Sequence, residues 1–512
     1  MARVAVAGAG VAGLASALYL SRSGHEVVLV ERDDTPLPDN PSDAFWWDRR
    51  GAAQVRHSHA FLARLRNQLL ADHPDVLASL LEAGATEMDF IAMLPEGMDR
   101  TPMPGDEQLV ALACRRTTFE WVLRRAVLSE STTELRHGLA VSHLRRGTRQ
   151  RGVGAGADRA PVVTGVALSD GSLLEADLVV LAGGRRMDVP ALYAELGTTV
   201  EELEEDTGII YLSQFMRLRD GAELPRQVGP IGGDLGYLKY AVFNGDDRTF
   251  SLTFAVDSKD RELRRLLLDP TLFERAAANL PATAAHVDGR AEAITGVEVM
   301  GGLINRRRSF TDSDGQPLLT GAVAVGDAHT ATNPLYGRGC SLALVQARAL
   351  AAALDRSTGS LTDMAAQYEA ESQREVEPWY RAAVSQDRMA RTAAQGRPTN
   401  TSGPTSTSGA TSTSGATSTD EVTRAEFMRS LLREGLFPAM RVDPVVLRAF
   451  LAMFNLLRAP DSLMTDSDVI GRVMAVYQDR DNRAPEPALG PTREELLECL
   501  AQRSVSRPQP RE

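Results

Sequence analysis

Residues 3–31 open as Arg3-Val4-Ala5-Val6-Ala7-Gly8-Ala9-Gly10-Val11-Ala12-Gly13-Leu14 and close as His25-Glu26-Val27-Val28-Leu29-Val30-Glu31. The first apolar run predicts a strand at 3–7 and the last a strand at 25–31, with a helix over 11–23 between them. In that context Gly8 permits a tight turn, Gly10 lets a pyrophosphate approach the backbone and the helix N-terminus, and Gly13 lets the helix pack closely on the sheet. Glu31, 18 residues beyond Gly13, is placed to accept hydrogen bonds from an adenosine ribose. The competing reading, an ordinary glycine-rich turn, lacks a reason for strand, helix and acid to occur together. Residues 4–20 also imitate a secretion signal, but only Arg3 precedes the apolar run and glycines 8, 10 and 13 would break its helix. The motif does not by itself separate NAD from FAD.

Outward from this unit, residues 162–168 and 173–181 read as strands around an Asp170-Gly171 turn, the second ending in Ala182-Gly183-Gly184. A helix is expected at 116–128. Between 207 and 256 the pattern changes to long β runs at 208–218, 236–243 and 249–256, the last two joined by Asn244-Gly245-Asp246-Asp247 as a hairpin. A short apolar strand at 322–325 then enters Gly326-Asp327, and an apolar helix follows at 341–354. The first domain is therefore expected to resume late in the chain. The fold class is α/β: a Rossmann-like cofactor domain at 1–200 and 301–395, an antiparallel substrate-binding sheet at 201–300, and C-terminal helices at 420–512. Residues 396–419, rich in Thr, Ser and Gly, cannot bury enough apolar surface to order themselves and are expected to be a disordered linker. Beyond it, helices are expected at 421–434, stopping at a Gly435 cap, and at 444–457, 466–477 and 492–501, the last opened by a Thr492/Glu495 capping box.

The far element separates the cofactors. Gly326-Asp327 precedes Asn333-Pro334-Leu335-Tyr336-Gly337-Arg338-Gly339 and the apolar helix. Asp327 can bind hydroxyls of a ribityl chain, while Pro334, Gly337, Arg338 and Gly339 can bring backbone amides, a helix N-terminus and positive potential to a flavin edge. A Gly-Asp pair alone is a common turn; paired with the N-terminal glycines it points to FAD.

Gly8 to Gly13, Glu31-Arg32, Cys114-Arg115-Arg116-Thr117-Thr118-Phe119-Glu120 and Gly326-Asp327 through Gly339 resemble the FAD contacts of flavoprotein monooxygenases of the p-hydroxybenzoate hydroxylase fold. The resemblance spans most of residues 1–380. Gly51-Ala52-Ala53-Gln54-Val55-Arg56-His57-Ser58-His59, Glu205-Asp206-Thr207-Gly208-Ile209-Ile210-Tyr211 and Asn333 to Cys340 are similar to the bacterial branch that includes the lasalocid and monensin polyether epoxidases. The resemblance implies an FAD-dependent monooxygenase that hydroxylates or epoxidises an organic substrate, often in secondary metabolism such as antibiotic biosynthesis, with O2 and a C4a-hydroperoxyflavin. It implies Glu31 and Arg32 at the adenosine, Arg116 at the FAD phosphates or flavin edge, and Asp327 at the ribityl chain. One departure is Gly183-Gly184-Arg185-Arg186, where the family carries an Asp-Gly signature tied to FAD and NADPH handling. Reduction is therefore expected either directly by NAD(P)H or by a separate flavin reductase. The same fold hosts reductases, dehydrogenases and desaturases, and a flavin-binding protein without catalysis is a third reading. No W-x-W-x-I-P halogenase pattern occurs.

Within the first domain, His57 and His59 alternate along an extended segment and are the candidate catalytic side chains, to position substrate or handle a proton; the plainer reading is structural hydrogen bonding. No carboxylate partner joins them, so no metal site is expected. Trp46-Trp47 reads as packing, and His329 as a satisfied turn histidine. Tyr211, Phe215, Tyr237 and Tyr240 on the antiparallel sheet suggest a hydrophobic substrate. The 56 basic and 68 acidic residues give a net charge of −12, which disfavours nucleic acid as a partner. Three scattered cysteines fit a reducing cytoplasm, and no run is long and apolar enough to span a bilayer.

Overall fold

The strands Arg3–Ala7, Glu26–Glu31, Thr133–His137, Leu178–Leu181 and Ala322–Ala324 pair in parallel, in the spatial order 322–324, 178–181, 3–7, 26–31, 133–137. Val27 to Val30 and Leu178 to Leu181 are buried without alternation, because both faces of a parallel sheet are covered. The helices Val11–Arg22, Arg116–Ser129 and Gly339–Arg356 cover one face. The other face packs on a three-stranded antiparallel sheet, Val141–Arg146, Val163–Leu168 and Leu173–Glu175. The computed structural model describes residues 1–147, 160–226, 231–357, 359–396, 427–428, 430–482 and 490–502. Apart from Gly396, the expected linker lies outside the described residues, as does the helix expected at 421–434 before residue 427.

The long strands Ile209–Leu218, Leu238–Asn244 and Thr249–Asp257 form the centre of a larger antiparallel sheet, as the β runs predicted. Its outer face is buried under the helices Arg261–Leu267 and Pro270–Ala278, with Leu496 and Leu500 of the helix Arg493–Ala501 in the same cluster. The Thr492/Glu495 capping box that opens this last helix is formed in both directions. The rest of the C-terminal region goes elsewhere: Phe437–Val442, Pro444–Phe454 and Ser467–Gln478 pack with Leu62, Leu342 and Trp379.

Two local expectations need correction. Residues 173–181 are not one strand: the chain breaks after Glu175 and restarts at Leu178. Asp177 causes the step, since its N–H donates to the Arg3 carbonyl and its carboxylate accepts from the Arg3 N–H at 2.8 Å, tying it to the edge of the parallel sheet. Gly435 does not cap a helix. The chain passes through it in a wide helical turn, Leu432–Leu436, into the next helix, and a Cβ at 435 would sit 3.1 Å from Val473 and Leu431 side chains. This glycine serves close helix packing. The hairpin expected after Asn244 is present, and its left-handed residues are Asp247 (φ 51°) and Arg248 (φ 56°). Gly245 is small because a Cβ there would lie 2.6 Å from Thr249 Oγ1 and 3.2 Å from Arg115 Cγ.

That last contact joins the two halves. Arg115, which starts the Arg116–Ser129 helix, donates from Nε and Nη2 to the two Asp246 carboxylate oxygens at 2.8 Å each, and Thr118 Oγ1 donates to the same carboxylate at 2.5 Å. Both charged side chains are almost fully buried. The larger antiparallel sheet is thereby locked over the parallel-sheet unit, and a large cavity lies between them.

Candidate functional site

Gly8 adopts φ +107°, and its carbonyl closes against Gly13, where a Cβ would come within 1.8 Å of that oxygen. Gly10 has no such crowding: the nearest atom to a Cβ there is Glu120 Oε1 at 3.7 Å. The Val11–Arg22 helix begins at Gly10 with no side-chain cap and no acid in its first turn. Its free N–H groups and positive end thus open onto the cavity. The same holds at the far turn, where the Gly339–Arg356 helix begins at Arg338 without a side-chain cap or first-turn acid. Pro334 opens a short turn capped by Asn333 Oδ1, and Gly337 (φ +64°) lets that turn come close to Ala60. Gly326 (φ +65°) does likewise against Ala12, which brings the two glycine-rich turns side by side. The cavity they border has a volume of about 1430 Å³.

Glu31 is buried, and its carboxylate accepts from Ala9 N–H at 2.8 Å and Asp33 N–H at 3.1 Å, so it braces the glycine turn from beneath. Arg32 is exposed and lines the cavity beside Gly51. Arg116 is buried, donates to Cys340 Sγ at 3.0 Å and Glu120 Oε1 at 3.1 Å, and leaves Nε without a partner. Asp327 is held by Arg185 through Nε and Nη2 at 3.3 Å each. The arginine of the divergent 183–186 segment therefore answers the charge of the aspartate at the far turn.

Sequence reasoning missed the buried charges that complete this end. Arg49 lies within 3.5 Å of Glu31, Asp33 and Glu120 and donates to the Ala9 carbonyl at 3.0 Å. Trp47 is buried between the guanidinium groups of Arg49 and Arg124, each 4.8 Å from its ring, while Trp46 is exposed under Arg56. These residues have no motif spacing. Despite burial, the surrounding arginines hold the Glu120 carboxyl below its usual range. Nε of Arg49 and Nε and Nη2 of Arg124 also lack hydrogen-bond partners. Unpartnered buried donors, two uncapped helix N-termini and an open Gly10 fit a dinucleotide carrying a pyrophosphate.

His57 and His59 both border the cavity but turn to different neutral partners. His57 Nδ1 lies 3.1 Å from Ser213 Oγ on the sheet, and His59 Nδ1 donates to the His57 carbonyl at 2.9 Å. Burial pulls His57 down to about 4, and burial together with Arg116 pulls His59 down to about 3. Both are neutral at pH 7, poor bases and available hydrogen-bonding groups. Because the unfolded His57 titrates near 6.5, acid protonates the unfolded chain first. Stability is then expected to fall as pH drops from about 6.5 to 4, by on the order of 3 kcal/mol from this residue. Urea unfolding at pH 7 and pH 4.5 checks it: wild type should lose more stability between the two than His57→Gln.

The remaining wall is apolar. Tyr211 and Tyr240 reach it from the antiparallel sheet. Phe215 does not, since it packs on Phe45 at 5.3 Å, and Tyr237 instead donates to the Pro491 carbonyl. Phe437, Met440, Phe450 and Phe454 of the C-terminal helices complete the wall. The helical spacing of Leu447, Phe450, Leu451 and Phe454 was visible in sequence but reads equally well as core. His329 is satisfied by Glu369 and Thr330. Among the described residues no helix is long and apolar enough to cross a membrane.

Comparison with known proteins agrees with this geometry. A family model for pyridine nucleotide-disulphide oxidoreductases matches residues 3–45, the strand, glycine turn, helix and strand described above. PqsL, a probable FAD-dependent monooxygenase from Pseudomonas aeruginosa, superposes with a TM-score of 0.54 at 20% identity, over 77% of this chain and 96% of that one. The fold is that of FAD-dependent oxidoreductases. CmlS, a flavin-dependent halogenase, gives 0.52 at 18% identity over 86% of this chain and 73% of its own. The flavin-dependent brominase Bmp2 gives 0.52 at 13% identity over 77% and 92%. PqsL has also been solved with 2-aminobenzoylacetate bound. Among curated proteins no sequence matches this chain.

Proposed function

We propose that this chain is an FAD-dependent monooxygenase that places one oxygen atom of O2 into a hydrophobic small molecule of secondary metabolism, by hydroxylation or alkene epoxidation. The observation that carries this reading is one continuous cavity, polar and lined with free N–H groups at the Gly10 and Gly339 turns, and aromatic and aliphatic at Tyr211, Phe437 and Phe450. Bound FAD would supply the electrons and the activation of O2. Gly10 and Arg116 would hold its phosphates on the turn that Gly8 and Gly13 shape by close packing, Glu31 and Arg32 its adenosine, and Asp327 with Gly326, Pro334, Gly337 and Gly339 its ribityl and flavin portion. The Arg115–Asp246 clamp keeps the sheet over the site, and the apolar wall excludes water and orients the substrate. His57 and His59, neutral and hydrogen-bonded, position groups in the cavity and are too weak as bases to ionise a phenol. That favours oxygen transfer to an alkene, which needs no side-chain base, over hydroxylation of a phenol.

The test is turnover under ¹⁸O₂ with chemically reduced, FAD-loaded enzyme and a panel of apolar alkenes and phenols. One ¹⁸O atom per product molecule is expected, with alkenes preferred. Product formation without label, or only when an artificial electron acceptor replaces O2, favours a dehydrogenase or desaturase instead. With Arg185 and Arg186 in the divergent segment, the reading also expects a separate flavin reductase as electron donor. NADPH should then be consumed only when such a reductase is added, and consumption by the purified chain alone would show direct reduction.

A further inference from the structure

Arg338 is only 3% exposed, yet among the described residues its guanidinium makes no hydrogen bond and no ion pair, and its Nε and Nη1 are buried without partners. Its guanidinium lies 4.6 Å from the Tyr336 ring centroid and 4.8 Å from that of Trp379. Rings on the faces of a guanidinium recover part of its charge stabilisation but leave the in-plane N–H edge unsatisfied. Asp387, the acid that acts on Arg338 electrostatically, has its oxygens taken by Asn305 Nδ2 at 2.6 Å, Asn333 Nδ2 at 2.8 Å and Tyr336 Oη at 2.9 Å. Burial lowers Arg338 to about 10, which leaves it charged at neutral pH. A buried, charged and unpaired guanidinium is costly to keep, and a site that keeps one is shaped for an anion.

Its position says which anion. Arg116 interacts with Cys340, Glu120 and Asp327 in the charge group between the two glycine turns, whereas the electrostatic neighbours of Arg338 are Tyr336 and Asp387. Trp379, which holds Arg338, packs in one cluster with Phe437 and Phe450. Arg338 therefore stands where the glycine turn meets the apolar wall, and it borders the same cavity. We propose that Arg338 receives the carboxylate of the substrate, whose hydrocarbon body lies against Phe437, Met440 and Phe450. The substrate class is an apolar carboxylic acid, which assigns Arg338 to substrate and not, as the motif suggested, to the cofactor. The inference rests on the proposed function only in taking this cavity as the substrate site.

The test is calorimetric binding of octanoate and octanamide to wild type, Arg338→Gln and Arg338→Lys, each with and without FAD. Wild type should bind octanoate at least tenfold more tightly than octanamide. Arg338→Gln should lose that preference while keeping its FAD and its octanamide affinity, and Arg338→Lys should retain part of the preference. No preference in wild type, or a preference that survives in Arg338→Gln, overturns the proposal. So does loss of FAD by both variants, which would return the residue to the cofactor. No turnover is measured, so a protein that fails to oxygenate but prefers octanoate contradicts the proposed function and leaves this inference standing.

Discussion

Gly13→Ala is expected to lose stable folding, whereas Gly10→Ala, three residues away, is expected to fold normally and lose FAD. At position 13 the new Cβ would sit 1.8 Å from the Gly8 carbonyl oxygen and 2.9 Å from its carbon. Both are backbone atoms in a turn already fixed by Gly8 at φ +107° and by the Gly8 N–H to Val30 carbonyl bond of 2.8 Å. The helix must move off the sheet, at a cost of about 3 kcal/mol or more for overpacking at this depth. At position 10 the Cβ meets nothing closer than 3.7 Å and projects into the open cradle at the helix N-terminus. Urea unfolding and FAD titration of both variants check the contrast. Equal loss of FAD with equal loss of stability in the two would remove the distinction between packing glycine and cofactor glycine.

Arg115→Met is expected to cost about 4 kcal/mol, since it leaves the buried Asp246 carboxylate without its cation. Asp246 keeps the Arg115 N–H at 2.9 Å and Thr118 Oγ1 at 2.5 Å, but neither neutralises it. Because the pair joins the 244–249 hairpin to the start of the Arg116–Ser129 helix, the loss should fall on the seam between domains. Urea unfolding should show a midpoint well below that of wild type, and the double variant Arg115→Met/Asp246→Leu should recover part of the loss. A single variant within 1 kcal/mol of wild type would mean the clamp is dispensable, an outcome expected of exposed ion pairs and not of buried ones.

This clamp also shows where the sequence stops being informative. Both of its ends lie in segments that stand out, one in Cys114 to Glu120 and the other in the Asn244–Asp247 turn, yet nothing in either segment says that they meet across 131 residues. The first strand, turn, helix and strand were legible because glycines and β-branched residues act over a few residues. The break at Ala176-Asp177 was not, since apolar residues on both sides of it suit one strand as well as two; only the Arg3 backbone decides. Gly435 followed the same rule, with a cap expected where close packing was the cause. Glu31 was legible as an acid ending the second strand, expected at an adenosine ribose, but its bonds to the Ala9 and Asp33 N–H groups and its nearness to Arg49 and Arg124 carry no sequence signal. Phe450 and Phe454 gave a clear helical stripe, and only the cavity shows that this stripe walls a site.

The turns at 8–13 and 326–339 are expected to hold one FAD between them. Titration of FAD into the purified chain, followed by flavin fluorescence, tests this directly. One FAD per chain is predicted, with Asp327→Ala weakening it at least tenfold while the urea midpoint stays unchanged, because Asp327 is partly exposed and its bonds to Arg185 are long. A folded wild-type chain that takes up no FAD, or an Asp327→Ala variant that binds it as tightly as wild type, would contradict the account.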